Sequence, residues 1–139
     1  MRGTLSSFGL LATLALFTGC QSIQESQNLV PLPDNSPPQP YRDLVVRARF
    51  QASSANEFFY SNKWKELEET GKVLGQTANL VGKATGVPAS REKAIMDATA
   101  QLAQQATNLR SLAVAHDEKG INACMQQINS LVREMRIEP

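Results

Sequence analysis

Trp64-Lys65-Glu66-Leu67-Glu68-Glu69-Thr70-Gly71-Lys72-Val73-Leu74-Gly75-Gln76-Thr77-Ala78-Asn79-Leu80-Val81-Gly82-Lys83-Ala84-Thr85 is the stretch whose pattern decides the fold. Trp64, Leu67, Gly71, Leu74, Ala78, Val81 and Thr85 recur with alternating spacings of three and four residues, while Lys65, Glu66, Glu68, Glu69 and Lys72 fall between them. A strand would need alternation with period two; this period, near 3.6, places the apolar and small residues on one stripe of an amphipathic helix. Gly71 and Gly75 lie inside it, and each lowers helix propensity by about 1 kcal/mol relative to Ala. The helix therefore depends on packing, and close approach of a neighbouring helix accounts for the two glycines.

The same spacing extends in both directions. Upstream, Tyr41, Val45, Ala48, Ala52, Ala55 and Phe59 form a 4-3-4-3-4 stripe. Between the two stripes, Ser61 and Asn62 offer capping side chains, and Glu66, Glu68 and Glu69 place negative charge where it suits a helix start. Downstream, Gly86-Val87-Pro88-Ala89-Ser90 reads as a stop followed by a restart, with Ser90 as N-cap and Glu92 in the first turn. A third stripe follows through Ile95, Ala98, Leu102, Gln105 or Ala106, Leu109, Leu112 and His116. Asp117-Glu118-Lys119-Gly120 turns the chain into a fourth, through Ile121, Cys124, Ile128, Leu131 and Met135. Helices are expected at about 42–60, 62–85, 90–116 and 118–136, in an all-α domain over 41–139. Four amphipathic helices with short turns bury their stripes most simply as an antiparallel up-down-up-down four-helix bundle. The competing arrangement fuses helices one and two into one long helix of a hairpin that pairs with a second chain.

The N-terminal region has a different character. Arg2 precedes a ten-residue apolar run, Phe8 to Phe17, about half of what a helix needs to cross a bilayer. Small Thr18 and Gly19 then precede Cys20, as at a signal-peptide cleavage site. Leu16-Phe17-Thr18-Gly19-Cys20 resembles the lipobox of bacterial lipoproteins, with Phe17 standing where a Leu is usual. That resemblance implies a lipoprotein signal peptide over 1–19, acylation of the Cys20 thiol, and a domain lipid-anchored to a membrane of the bacterial cell envelope on its periplasmic or extracellular side. The alternative is a plain secretory leader in which Cys20 is incidental. Residues 20–40 are rich in Gln, Ser and Asn, then in Pro31, Pro33, Pro37, Pro38 and Pro40, and show no apolar periodicity. They read as a flexible to semi-rigid spacer that packs on nothing and spans roughly 25 Å as a free coil.

Composition excludes several classes. Cleavage before Cys20 leaves about 120 residues, one domain's worth. It also removes Arg2, so basic and acidic side chains balance and no basic field is available for nucleic acid. With Cys20 acylated, Cys124 has no partner for an internal disulfide. A single histidine supports neither a paired-histidine metal site nor a nucleophile-histidine system with a spare. No catalytic residues, cofactor or metal are assigned, and the chain is read as no enzyme.

With four helices expected, Asn62-x-Trp64 leading into Leu67, Gly71 and Leu74, the Ala-rich third helix, and Asp117 opening a last helix that ends in Arg133 and Arg136 resemble the four-helix bundles of bacterial cytochromes c′ and b562. The resemblance covers about 41–136 and implies that fold. The family's haem-attachment motif, Cys-x-x-Cys-His before a closing Arg, falls here on Asn129-Ser130-Leu131-Val132-Arg133, which has neither thiol nor imidazole. What carries over is a haem-less, cytochrome c-like bundle acting as a binding or structural module.

Three constellations remain open at this point. His116, Cys124 and Met125 around the third turn supply imidazole and sulfur suited to Cu(I) or another soft ion, and His116 with Met96 or Met125 defines a b-type haem alternative; the plainer account is a core cysteine and a helix-ending histidine. Phe58, Phe59, Tyr60 and Trp64 form either an end-plug of the core or a ligand or partner surface, and a separate alternative is an interaction module that dimerises through the bundle. Arg133 and Arg136, one turn apart, either pair an anion or complement the helix C-terminus.

Overall fold

From Tyr41 to Val87 no proline interrupts the backbone hydrogen-bond ladder, and the chain folds there into two helices. A computed structural model describes residues 27–33 and 35–136. The signal peptide expected at 1–19 and Cys20 lie outside the described residues. Among the described residues the protein is all-helical, with no named strand. Helix α1 runs Tyr41–Tyr60, α2 Trp64–Val81, α3 Glu92–Ala115 and α4 Glu118–Glu134, with a single 3-10 turn, Ala89–Arg91, leading into α3.

The four stripes read from the sequence form the core except at their ends, where Trp64 and Leu112 are half-buried and Thr85 and His116 exposed. Tyr41, Val45, Ala48, Ala52, Ala55 and Phe59 of α1 are buried, as are Leu67, Leu74, Ala78 and Val81 of α2. Ile95, Ala98, Leu102, Ala106 and Leu109 of α3 meet Ile121, Cys124, Ile128, Leu131 and Met135 from α4 and its cap. Of the Gln105 and Ala106 alternatives, Ala106 is the buried one. Helix α1 packs on α2 and α4, and α3 packs on the same two. At the helix ends, Tyr41 Oη donates to the Met135 carbonyl and Arg91 donates to the carbonyls of Glu134 and Arg136.

Helices one and two are separate. Ser61 receives the end of α1, Asn62 takes a left-handed φ of 55°, and Lys63 is the residue before α2. Neither Ser61 nor Asn62 caps α2, because the tight turn uses Asn62 as its left-handed residue, a conformation Asn tolerates well. Ser90 does not cap α3 either: it sits inside the 3-10 turn, and Arg91 precedes the helix without a side-chain cap. Asp117 does cap, its Oδ1 accepting from Gly120 N at 3.0 Å. Helix α2 ends at Val81, four residues short of the expected 85. Thr85 instead exchanges backbone hydrogen bonds with the chain entering α1, Tyr41 N to Thr85 O at 2.8 Å and Thr85 N to Gln39 O at 3.0 Å.

Gly71 sits where a Cβ would lie 2.7 Å from Arg110 Cγ and 3.1 Å from the Ala106 carbonyl, so α2 and α3 touch there backbone to backbone. At Gly75 the nearest atom to a Cβ is Ala106 Cβ, at an ordinary 3.6 Å. The two glycines therefore respond differently to the same change. Gly75→Ala is expected to stabilise by up to about 1 kcal/mol through helix propensity. Gly71→Ala forfeits that gain because the Ala106 carbonyl cannot withdraw without moving α3. Denaturant titration of the two variants checks this; equal shifts would show that the close approach at Gly71 is absent.

Candidate functional site

On α1 a second stripe, Leu44, Arg47, Gln51 and Ser54, is buried beside the core stripe. On α2 the corresponding second face is Thr70, Val73 and Thr77. What covers these polar positions is the segment read from sequence as a free spacer. From Gln27 onward it lies along the helices and is tied down through its main chain. Arg47 donates from Nη1 to Gln27 O at 3.2 Å, from Nη2 to Val30 O, and from Nε to Thr77 Oγ1 at 3.3 Å. Gln51 Nε2 donates to Asn28 O at 2.7 Å. The Gln76 amide pairs with both main-chain groups of Leu32, accepting from its N–H at 2.9 Å and donating to its carbonyl at 2.7 Å. The expectation of an unpacked tether over 20–40 is thus corrected for residues 27–32, where guanidinium and amide side chains bind main-chain groups, and for Gln39 and Pro40, which pair with Thr85.

Arg47 is 8% exposed and pairs with neutral oxygens only, none of them a carboxylate. Burial pulls its guanidinium below the ordinary arginine value, yet the group keeps its charge at physiological pH. Oε1 of Gln51 is buried and accepts no hydrogen bond among the described residues. Sequence periodicity alone gave no sign of this face, since Arg and Gln at helical spacing ordinarily mark solvent.

The three residues at the third turn are placed differently from one another. His116 is exposed, ends α3 with a left-handed φ of 54°, and stacks its ring on Trp64 at 4.8 Å between centroids. Cys124 and Met125 are buried. The Cys124 thiol points at Gln105, with its sulfur 3.3 Å from the main-chain carbonyl and 3.4 Å from Oε1. Burial pushes that thiol up to about 11, so with no metal bound it is protonated at neutral pH. Among the described residues, no group of three His, Cys, Asp or Glu side chains gathers in a way that could hold a metal ion. Met96 is only partly buried against the core.

The aromatic cluster closes one end of the core. Phe59 packs edge-on against Trp64 at 6.0 Å and tilted against Tyr60 at 5.4 Å, while Lys63 Nζ lies 5.7 Å from the Phe58 centroid. Leu29, Phe58, Lys65, Glu66, Glu69 and Thr70 line a shallow cleft of about 340 Å³ beside it. Arg133 and Arg136 are exposed and line a second groove together with residues of α1. Comparison with protein-family models, with curated proteins and with solved structures found no match to this chain.

Proposed function

We propose that this chain is a lipid-anchored cell-envelope protein whose helices run antiparallel, up-down-up-down, as a haem-less, cytochrome c′-like bundle that serves as a non-enzymatic binding or structural module. The observation that carries the reading is the filled interior. Leu67, Leu74, Leu102, Leu109, Ile121 and Ile128 are each no more than 1% exposed, so aliphatic side chains occupy the space a buried porphyrin would need. His116, the one imidazole, lies outside that interior on the face of Trp64. The antiparallel arrangement is supported by the end contacts: the start of α1 meets the end of α4 through Tyr41 and Met135, and the start of α2 meets the end of α3 through Trp64 and His116. Anchoring is supported by Cys20 and its preceding residues. No helix among the described residues is long and apolar enough to cross a membrane.

Two measurements test this reading. Cys20→Ser is expected to abolish lipid labelling and move the protein out of the detergent phase; unchanged partitioning would refute the anchor. The purified wild type is expected to be colourless. A Soret band removed by acid-acetone would replace the reading with a b-type haem carrier, and light scattering at twice the monomer mass would replace it with a module completed by dimerisation.

A further inference from the structure

Between α1 and α4 lies an open groove of about 390 Å³. Arg49, Ser53 and Asn56 of α1 form one wall, and Asn129 and Arg133 of α4 with Arg136 just past its end form the other, over a floor of Ala52 and Val132. Along α1 the spacing i, i+4, i+7 sets three polar side chains in a row on one helix face, and on α4 Asn129 and Arg133 stand one turn apart. The two rows flank an apolar floor, and every polar side chain in them can donate: three guanidiniums, two amides and a hydroxyl, with the Asn56 amide already giving one N–H to the Ala52 carbonyl at 2.9 Å. No carboxylate lines the groove among the described residues, and the two ion pairs found there, Lys72 with Glu69 and Lys93 with Asp97, are elsewhere.

A cation in the last turn complements the negative end of a helix, which accounts for Arg133 of α4 but not for Arg49. Arg49 sits in the middle of α1, where no helix end acts on it. Three like charges along one groove repel each other, and among the described residues no carboxylate lines the groove to relieve this, which leaves solvent, salt or a bound anion.

We propose that the α1–α4 groove binds a phosphate-bearing ligand, its oxyanion held by Arg49, Arg133 and Arg136. Guanidinium groups pair with phosphate oxygens two at a time, a geometry that a lysine cannot reproduce. Asn56, Asn129 and Ser53 supply neutral donors to what is attached to the phosphate, and the Ala52 and Val132 floor accepts an apolar part. The groove has room for more than inorganic phosphate, so the ligand is a phosphoester, either soluble or the headgroup of a phospholipid. This inference does not depend on acylation of Cys20, nor on how the helices run.

The test uses the full chain purified in detergent, in chloride buffers of fixed ionic strength. Inorganic phosphate is expected to raise the unfolding temperature above that in equimolar chloride. Its apparent Kd by calorimetry should weaken about tenfold in Arg49→Gln and in Arg133→Gln, and stay unchanged in Lys119→Gln, which alters an exposed charge at the opposite end of α4. In phosphate-free buffer the two arginine variants should melt no lower than the wild type, since each removes repulsion; a merely structural arginine would lower the midpoint. Vesicles added to the full chain carrying Cys20→Ser, which has no acyl chain to insert, separate the sources. Arginine-dependent binding to phosphatidylglycerol but not phosphatidylcholine vesicles identifies a lipid headgroup, and phosphate binding without vesicle binding identifies a soluble phosphoester. Equal effects of phosphate and chloride, with vesicle binding indifferent to Arg49 and Arg133, would overturn the proposal.

Discussion

Arg47→Ala is expected to loosen residues 27–33 on the helices and to lower stability by about 2–3 kcal/mol, because Arg47 makes two of the five side-chain hydrogen bonds that fasten the segment, the others coming from Gln51 and Gln76. Removing it takes donors from the carbonyls of Gln27 and Val30 and leaves a void where its aliphatic stem lay buried between the segment and α2. The carbonyls recover part of the cost by turning to water once the segment lifts, which keeps the figure below that of a fully orphaned buried charge. Thr77 stays satisfied, since its hydroxyl also donates to Val73 O at 3.0 Å. Limited proteolysis should then cut within 27–33 at least tenfold faster, with helical circular dichroism unchanged. Arg47→Lys should fall between, as an ammonium cannot reach the Gln27, Val30 and Thr77 oxygens with one planar fork. Cleavage rates equal to the wild type's would show that Arg47 does not hold the segment.

Alkaline pH is expected to destabilise the protein by about 2–3 kcal/mol between pH 9 and about 11, through Cys124. Burial against Gln105 raises its thiol from an ordinary 9.0 to about 11. In that window the unfolded chain has released the proton and the folded chain still holds it, so stability falls as pH rises through it and is fully present below it. Tyr41 acts in the same direction at higher pH: burial raises its hydroxyl, with Arg91 opposing. Comparison with Cys124→Ala isolates the cysteine's share, since the variant should lose the slope between pH 9 and about 11 while keeping the steeper fall above it. Parallel pH profiles for the two proteins would refute the assignment, as would fast labelling of the native thiol at pH 8.

His116 and Cys124 show how a turn misleads a sequence reader. They are eight residues apart, close enough to suggest a shared site, but a left-handed residue ends α3 at His116 and sends its ring onto Trp64. Cys124 follows the stripe of α4 into the core. The stripe was legible; the direction of a side chain at a helix terminus was not, because it depends on one φ angle and on the neighbour it finds.

By itself the sequence determined the helices and their core. Period 3.6 is a local property, and the stripes from Tyr41 to Phe59 and from Ile121 to Met135 are buried residue for residue as their spacing requires. It pointed to close contact at Gly71 and Gly75 alike, since glycines inside a helix need a reason and packing is the common one, but the backbone approach is tight at Gly71 and ordinary at Gly75. Only the tertiary structure decided the second face of α1. Arg47 and Gln51 carry no burial signal of their own, and what buries them is a proline-rich segment bound through main-chain groups that are the same for nearly every residue type. The arginine groove is tertiary for a related reason: Arg49 and Arg133 lie 84 positions apart in sequence, and only the packing of α1 against α4 brings them to one groove.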